Sequence, residues 1–286
     1  MTRTRPVSPL RRPLGVTLYF ASHAAAALLL SLPTVALVSG TGVGRFPEGD
    51  RLLFQPGGVV AAEVAGNLLS AIPGHVASLL GAGTLLAVLL LVPHTALLVS
   101  LSSRENESQA ATWGRAIGRV PATISLSGLA LLAQALVLFA TVTLAGCLKD
   151  ALGGTTTRHA DLAYLAAIAL GACLVLALGI VRDLGRAAVV RDALDSKTAL
   201  LAGLRAFATA PLRSLLGWLT PALAGVALVA LGALLATALD VSRPGAWRVW
   251  LVALVHQLVA YALCFCRAFW LTASLEVVRV YGDPAP

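Results

Sequence analysis

Six apolar stretches, each long enough to cross a lipid bilayer, constrain this chain more than any other feature of its sequence. A helix needs about 20 residues to cross the hydrocarbon core. Ala and Leu dominate every stretch, without the alternation that is typical of membrane-spanning strands. The sequence therefore predicts an all-α polytopic membrane protein, with six transmembrane helices in a single membrane domain over residues 1–286. We expect the spans at residues 14–38, 77–100, 122–146, 161–181, 214–239 and 249–273.

The composition supports this assignment and excludes several classes of protein. Hydrophobic residues make up 58% of the 286 residues and charged residues only 12%, against about 25% in an average soluble domain. Because a soluble fold cannot hide so much apolar surface from water, we exclude a soluble enzyme, a disordered chain and a nucleic-acid-binding domain. The net charge of +8 arises between the apolar stretches, as at a membrane surface, so the lipid bilayer is the expected partner.

The basic residues also predict how the chain is oriented. Counted over alternate connections, 14 Lys and Arg lie on the side of the two termini, six lie on the other side, and one lies within the sixth span. Cytoplasmic connections are enriched in Lys and Arg, so we expect both termini in the cytoplasm. The first stretch is longer than the core of a signal peptide, and no A-x-A cleavage site follows it, so it is expected to remain as a span.

The connections between the spans differ in character. The outer connection, residues 39–76, is interrupted by three prolines, and its best helix candidate covers residues 59–69. We expect this helix to lie along the outer membrane surface or to fold partly back over the bundle. On the cytoplasmic side, the segments 104–121 and 182–213 each precede an odd-numbered span, and a shorter basic segment precedes the first. The layout predicts three helical hairpins, each entered through a basic elbow.

Both long elbows have the pattern of an amphipathic interfacial helix. In the second, Asp195 or Ser196 can cap a helix that ends near Pro211. An apolar stripe beside arginines is typical of a helix in the headgroup layer. The elbow either anchors the next span or docks a membrane or cytoplasmic protein partner. The stripes consist of Trp113, Ile117 and Val120 in the first elbow and of Leu200, Leu201, Leu204, Phe207 and Ala208 in the second, and the elbow arginines are Arg115, Arg119, Arg186, Arg191 and Arg205.

Polar residues within the spans are costly and are therefore candidates for function. Arg267 lies about nine residues, or about 13 Å, from the inner end of the sixth span, and no acid is expected at a similar depth. His23 and His94 lie in the same inner half of the membrane. Arg267 either snorkels to the inner headgroups or faces a cavity with the two histidines. In the second case, these three residues are candidate contacts for an anion or a lipid.

Several segments taken together resemble a known kind of protein. They are residues 181–192, the elbow from Ser196 to Pro211, the pair Gln257 and Arg267, and residues 53–63 of the outer connection. The combination resembles a group of uncharacterised bacterial six-helix membrane proteins, in which the fourth span ends in an Asp-x-x-Arg segment and the sixth carries a Gln and then an Arg near aromatic residues. A more distant likeness links the elbow to the membrane domain fused to some glycerophosphodiester phosphodiesterases. The resemblance implies a six-helix fold in the bacterial inner membrane. It differs in one position, because Phe269 stands where that group has Trp, and Trp270 follows.

Two functions remain open at this point. The sequence contains no H-E-x-x-H, no Cys/His zinc spacing, no G-x-S-x-G and no P-loop, so we expect no enzyme activity, no cofactor and no metal site. The first function is a non-enzymatic membrane-embedded scaffold or partner protein that recognises anionic lipids through its Arg-rich inner face. The second is a transporter or permease subunit for a small or amphiphilic solute. The elbow before the fifth span lacks the spacing of the cytoplasmic loop of ABC importer permeases, which makes that class a minor alternative.

Overall fold

The computed structural model describes residues 5–40, 59–103, 107–152, 157–239 and 246–282. Within these ranges the chain is helical apart from short turns, and no strand is present. A single 3-10 turn at Pro9–Arg11 precedes the helices. The helices are α1 (Pro13–Gly40), α2 (Val59–Leu89), α3 (Leu91–Ser102), α4 (Gln109–Leu152), α5 (Thr157–Asp192), α6 (Ser196–Thr209), α7 (Pro211–Ala238) and α8 (Ala246–Tyr281).

The described ranges contain six helical segments long and apolar enough to cross a membrane, which confirms the predicted all-α polytopic fold. In the most apolar window of each segment, at most 17% of the residues are buried. Apolar side chains exposed on this scale require contact with lipid rather than water. The segments are Pro13–Ala36, Pro73–Ser102, Ala110–Leu152, Arg158–Asp192, Pro211–Ala238 and Trp247–Tyr281.

The chain divides into two compact units. The smaller unit is Leu18–Pro93, and the larger one comprises Met1–Thr17 and His94–Pro286. In the smaller unit, Thr34 Oγ1 of α1 lies 3.4 Å from His75 Nε2 of α2. The second span is not one continuous helix. Pro93 has no N–H to donate to the carbonyl one turn earlier, and the helix is interrupted at Leu90, between α2 and α3.

The prediction of a separate surface helix at residues 59–69 is wrong. These residues are the first turns of α2, which continues through Pro73 into the second span. A proline in a helix removes one hydrogen bond and kinks the axis without having to end the helix. The remainder of the predicted outer connection, residues 41–58, lies outside the described residues.

The two long elbows differ from the prediction in where their helices begin and end. The first elbow is helical from Gln109, but it runs through Pro121 into the third span as one helix, α4. Its residues 104–106 lie outside the described ranges. In the second elbow, α5 continues beyond residue 181 to Asp192 before α6 and α7 begin. The charge at Arg182 marks the end of the lipid-exposed surface, and not the end of the helix, because protein surrounds the following turns.

The core of the larger unit lies where the last turns of α5 meet α6, the first half of α4 and the last turns of α8. We call this the basic end, defined by Arg182, Arg186, Arg191, Lys197 and Arg205. There, α5 is buried at every position from Asp183 to Val190. The other large side chains buried in this unit come from four helices: Val16 of α1, Leu97, Leu98, Val99 and Leu101 of α3, Leu126 of α4, and Leu271, Leu275 and Val278 of α8.

Helix α6 confirms the predicted cap. The Asp195 carboxylate accepts hydrogen bonds from the backbone N–H groups of Lys197, at 3.1 Å, and Thr198, at 3.4 Å. Pro211 begins α7 directly after α6 ends. Proline is favoured at such a position because the first turn of a helix does not use its N–H.

The buried face of α6 consists of small residues packed on α5. A Cβ atom added to Gly203 would lie 2.7 Å from the backbone nitrogen of Gly185, so the two backbones cross in direct contact. The apolar stripe points away from the protein, with Leu201 60% exposed and Leu204 51% exposed. This orientation is the one expected of a helix whose stripe faces the headgroup layer. The residues buried against the protein are Ala199, Ala202, Gly203 and Ala206.

Candidate functional site

Asp183 is the centre of a buried polar cluster at the basic end. It lies on α5 and is 2% exposed. Two nitrogens of the Arg267 guanidinium, from α8, donate to its two carboxylate oxygens at 2.7 and 2.9 Å. The indole N–H of Trp270, one turn further along α8, donates to Oδ2 at 2.9 Å. This two-pronged, charge-assisted geometry is the strong form of an Arg–carboxylate pair, and it fixes α8 against α5.

Two further arginines of α5 complete the cluster. Arg186, which is 7% exposed, donates to Asp183 Oδ1 at 3.2 Å. Its other nitrogens donate to the Ser127 hydroxyl of α4 at 3.1 and 2.8 Å. Arg182 Nε lies 3.8 Å from Asp183 Oδ1, and its NH1 lies 3.5 Å from the Gln134 side-chain oxygen of α4. The cluster therefore connects α4, α5 and α8.

The cluster carries more positive than negative charge. Three guanidinium groups, those of Arg182, Arg186 and Arg267, surround the single carboxylate of Asp183. Together the four side chains have a formal charge of +2. The Arg267 side chain is 28% exposed, whereas that of Asp183 is 3% exposed, so the positive side of the pair is the side that remains accessible.

The cluster lies at the level where the lipid-facing surface ends. Residues 162–181 of α5 and 249–266 of α8 contain no Lys, Arg, Asp or Glu. At 1.5 Å per residue these runs are about 30 and about 27 Å long, close to the hydrocarbon thickness of about 30 Å. Both runs end at the cluster, and the exposed Trp247 and Trp250 lie at the opposite end of α8, as interfacial aromatics do.

The expectation that no acid shares the depth of Arg267 is wrong, because Asp183 pairs with it directly. The expected depth also changes. The turns of α8 that follow Arg267 carry Leu271, Leu275 and Val278, which are buried in the protein core. Hydropathy does not distinguish these buried turns from lipid-facing ones, so it predicts a position for Arg267 that is too deep in the membrane. In the structure Arg267 forms an ion pair with the buried Asp183, and its own side chain stays partly exposed.

The two candidate histidines belong to different units of the chain. His94, on α3 in the larger unit, is 5% exposed and lies within electrostatic range of Arg267, Arg186 and Asp183. His23 lies on α1 in the smaller unit. There its Nδ1 is 2.9 Å from the carbonyl oxygen of Tyr19, and the two rings are 4.1 Å apart. The structure thus brings His94, on α3, into the surroundings of the cluster.

The prediction that Arg186 lies at the membrane interface is wrong. Arg186 is buried in the cluster because α5 continues through this segment inside the protein core. Arg115 donates to Ser103 and Glu107 near the start of α4. The remaining elbow arginines lie at the surface of the larger unit: Arg119 and Arg191 are half-buried and Arg205 is exposed.

A groove of about 550 Å³ runs between α7 and α8, next to the cluster. Arg267, Trp270 and Trp218 line the part nearest the basic end, and apolar side chains such as Val226 and Leu263 line the part that extends toward the middle of the spans. Glycines of α7 bring the two helices together along one side of it. A Cβ atom added to Gly225 would lie 3.1 Å from Leu263, and one added to Gly232 would lie 2.7 Å from Val259.

One feature of the sequence indicated Asp183, the central residue of the cluster, which hydropathy did not reveal. The Asp-x-x-Arg segment of the resemblance is formed here by Asp183 and Arg186, which are three residues apart and therefore on one helix face. Hydropathy alone does not show their role, because it predicts that the fourth span ends before Arg182, the first charged residue. In the described part of the chain, no three His, Cys, Asp or Glu side chains converge as metal ligands.

Comparisons with protein-family models, curated proteins and solved structures found no match to this chain.

Proposed function

We propose that this protein is a non-enzymatic, multi-pass protein of the bacterial inner membrane, with both termini in the cytoplasm, that recognises anionic lipids at its basic end. In this role it acts as a membrane-embedded scaffold or as the partner of another membrane or cytoplasmic protein. The observation that carries the proposal is the cluster of three arginines around Asp183, with its formal charge of +2.

The position of that charge favours a lipid headgroup as its ligand. The uncharged runs of α5 and α8 end at the cluster, so the excess charge lies at headgroup level rather than in the hydrocarbon. Basic groups near a membrane surface each attract anionic lipid by about 1 kcal/mol. The orientation proposed from the charge bias places this end at the cytoplasmic leaflet, where anionic lipids produce a negative surface potential.

The exposed stripe of α6 supports the same placement. Leu201 and Leu204 face outward, while Lys197 and Arg205 are exposed on the same short helix. A helix with this distribution binds an anionic membrane surface through its apolar area and its charge together. We infer that α6 lies in the headgroup layer beside the cluster.

Lipid retention in native mass spectra tests the proposal. The detergent-purified protein is mixed with equal amounts of phosphatidylglycerol, which is anionic, and phosphatidylethanolamine, which is zwitterionic. We expect preferential retention of phosphatidylglycerol. Replacing Arg182 with Gln reduces the cluster charge from +2 to +1 without touching the Arg267–Asp183 pair, and should reduce this preference several-fold. Arg158→Gln removes the same charge from an exposed position at the opposite end of α5 and serves as the matched control.

Equal retention of the two lipids by the wild-type protein would contradict the proposal. A loss in Arg158→Gln as large as that in Arg182→Gln would assign the preference to general surface charge instead of the cluster. The alternative function, a transporter or permease subunit, predicts movement of an amphiphile across proteoliposomes that contain the protein. A scaffold predicts binding without such movement.

A further inference from the structure

We infer that the groove between α7 and α8 is a binding site for one anionic glycerophospholipid, with its headgroup at Arg267 and an acyl chain along the groove. This inference rests on the proposed recognition of anionic lipids, and it adds where the lipid binds and how it is oriented. The groove is formed by two candidate spans, so the molecules that reach it are those of the bilayer.

The lining of the groove matches the two parts of such a lipid. Its volume of about 550 Å³ lies within the range of about 300–1,000 Å³ for small-molecule sites. Val226, Val229 and Leu263 provide an apolar wall for a chain that points toward the middle of the bilayer. At the other end, Arg267 and Trp270 provide a cation and an aromatic ring at headgroup level.

Arg267 can contact a lipid phosphate while it remains paired with Asp183. In that pair, NH1 and NH2 of the guanidinium each donate to one oxygen of the Asp183 carboxylate. The side chain is also 28% exposed. With Arg182 and Arg186 on the other side of Asp183, the excess positive charge of the cluster favours an anionic headgroup over a zwitterionic one.

The shape of the groove results from small residues of α7. Gly225 and Ala222 leave space that larger side chains would fill, and a Cβ atom at Gly225 would already lie 3.1 Å from Leu263. Ala227 lies on the same helix, is exposed, and is not part of the groove lining. The same substitution of alanine can therefore be made inside the groove, at Ala222, and outside it, at Ala227.

The test compares Ala222→Phe with Ala227→Phe in the full-length protein. Binding of phosphatidylglycerol is measured by titration in neutral detergent micelles, with native mass spectra recording the number of lipids retained. We expect Ala222→Phe to weaken binding about tenfold, the loss of about 1.4 kcal/mol, and Ala227→Phe to bind as the wild type does. Ala230→Phe, at a second groove position, should repeat the loss if Ala222→Phe does not fold.

A second measurement uses the fluorescence of the two tryptophans in the groove. Trp218 and Trp270 line the groove, so a lipid chain that carries bromine should quench their fluorescence. Brominated phosphatidylglycerol should quench more than brominated phosphatidylethanolamine at equal mole fraction, and Trp218→Phe should reduce that difference.

The outcomes separate the two proposals. If the wild-type protein shows no preference for phosphatidylglycerol, the proposed function fails. If the preference exists but is equal in Ala222→Phe, Ala230→Phe and Ala227→Phe, the lipid binds elsewhere and the groove assignment is overturned. Equal quenching by the two brominated lipids, with a preference still present, would overturn it as well.

Discussion

Replacing Asp183 with Asn should be among the most destabilising single changes in this protein. The substitution keeps the size of the side chain and removes its charge. The carboxylate accepts four hydrogen bonds, two from Arg267, one from Arg186 and one from Trp270. Without it, three guanidinium groups remain close together around a neutral amide. Breaking a buried ion pair by removing one partner costs about 3–5 kcal/mol, and we expect a loss of stability in this range.

Replacing Arg267 with Leu should cost about half as much. It removes two of the four hydrogen bonds, but Asp183 keeps Arg186 at 3.2 Å and Arg182 at 3.8 Å. The carboxylate is therefore still paired, and the new side chain is compatible with the lipid-facing side of α8. Arg267→Lys should also lower stability, because an ammonium group cannot donate to both carboxylate oxygens as the planar guanidinium does.

Thermal unfolding in neutral detergent measures these differences. One kcal/mol shifts the melting temperature by about 2–4 °C for a chain of about this size. We therefore expect the melting temperature to fall by about 10 °C in Asp183→Asn and by about 5 °C in Arg267→Leu. Asp192→Asn provides the control, since it removes an exposed acid from the same helix. Exposed ion pairs contribute only about 0–1 kcal/mol to stability.

The double variant of Asp183→Asn and Arg267→Leu gives the sharpest result. The two residues are in direct contact, so the double variant should lose less stability than the sum of the single variants. The reasoning is refuted if Arg267→Leu is as destabilising as Asp183→Asn, or if the two losses simply add.

Three further predictions concern α6 and the topology. Gly203→Leu should lower the melting temperature, because its side chain would meet the backbone of α5; Gly114→Ala, in open space on α4, should not lower it. Hydrogen bonds from Thr198 and from the Lys197 amide lower the pKa of Asp195. The stability that this cap contributes is therefore present above the unfolded pKa of about 3.9 and is lost as the pH falls toward the folded value. Asp195→Asn, which also caps, should remove that part of the pH dependence of unfolding, and an unchanged profile would contradict the assignment. Reporter fusions at Gly153 and Asp192 should read outside and inside, respectively, and the reverse pattern would contradict the proposed orientation.

Much of the local structure follows from the sequence because it depends on neighbouring residues. The six spans are predictable because the cost of burying backbone polar groups in lipid leaves long apolar stretches little choice but helix. The cap at Asp195 and the start of α7 at Pro211 are equally local, since a carboxylate and a missing N–H act within one turn of the chain.

The ends of the helices were less predictable, because hydropathy reports the membrane and not the helix. Helix α5 passes Arg182 without a break because its following turns are buried in the protein. Helix α4 passes Pro121 because an internal proline removes one hydrogen bond without having to end the helix. Hydropathy cannot distinguish a turn that faces lipid from one that faces protein. For the same reason it assigned the buried turns of α8 after Arg267 to the membrane.

By itself, then, the sequence determined the class of the protein, the number of its spans and the uneven distribution of its charges. Only the tertiary structure decided that Arg267 pairs with Asp183, that Arg186 is buried, and that a groove begins beside them. These residues are up to 84 positions apart. Their meeting depends on close helix crossings, such as the one at Gly203 and Gly185. Such a crossing is set by the shape of two surfaces in contact, and neither helix contains that information alone.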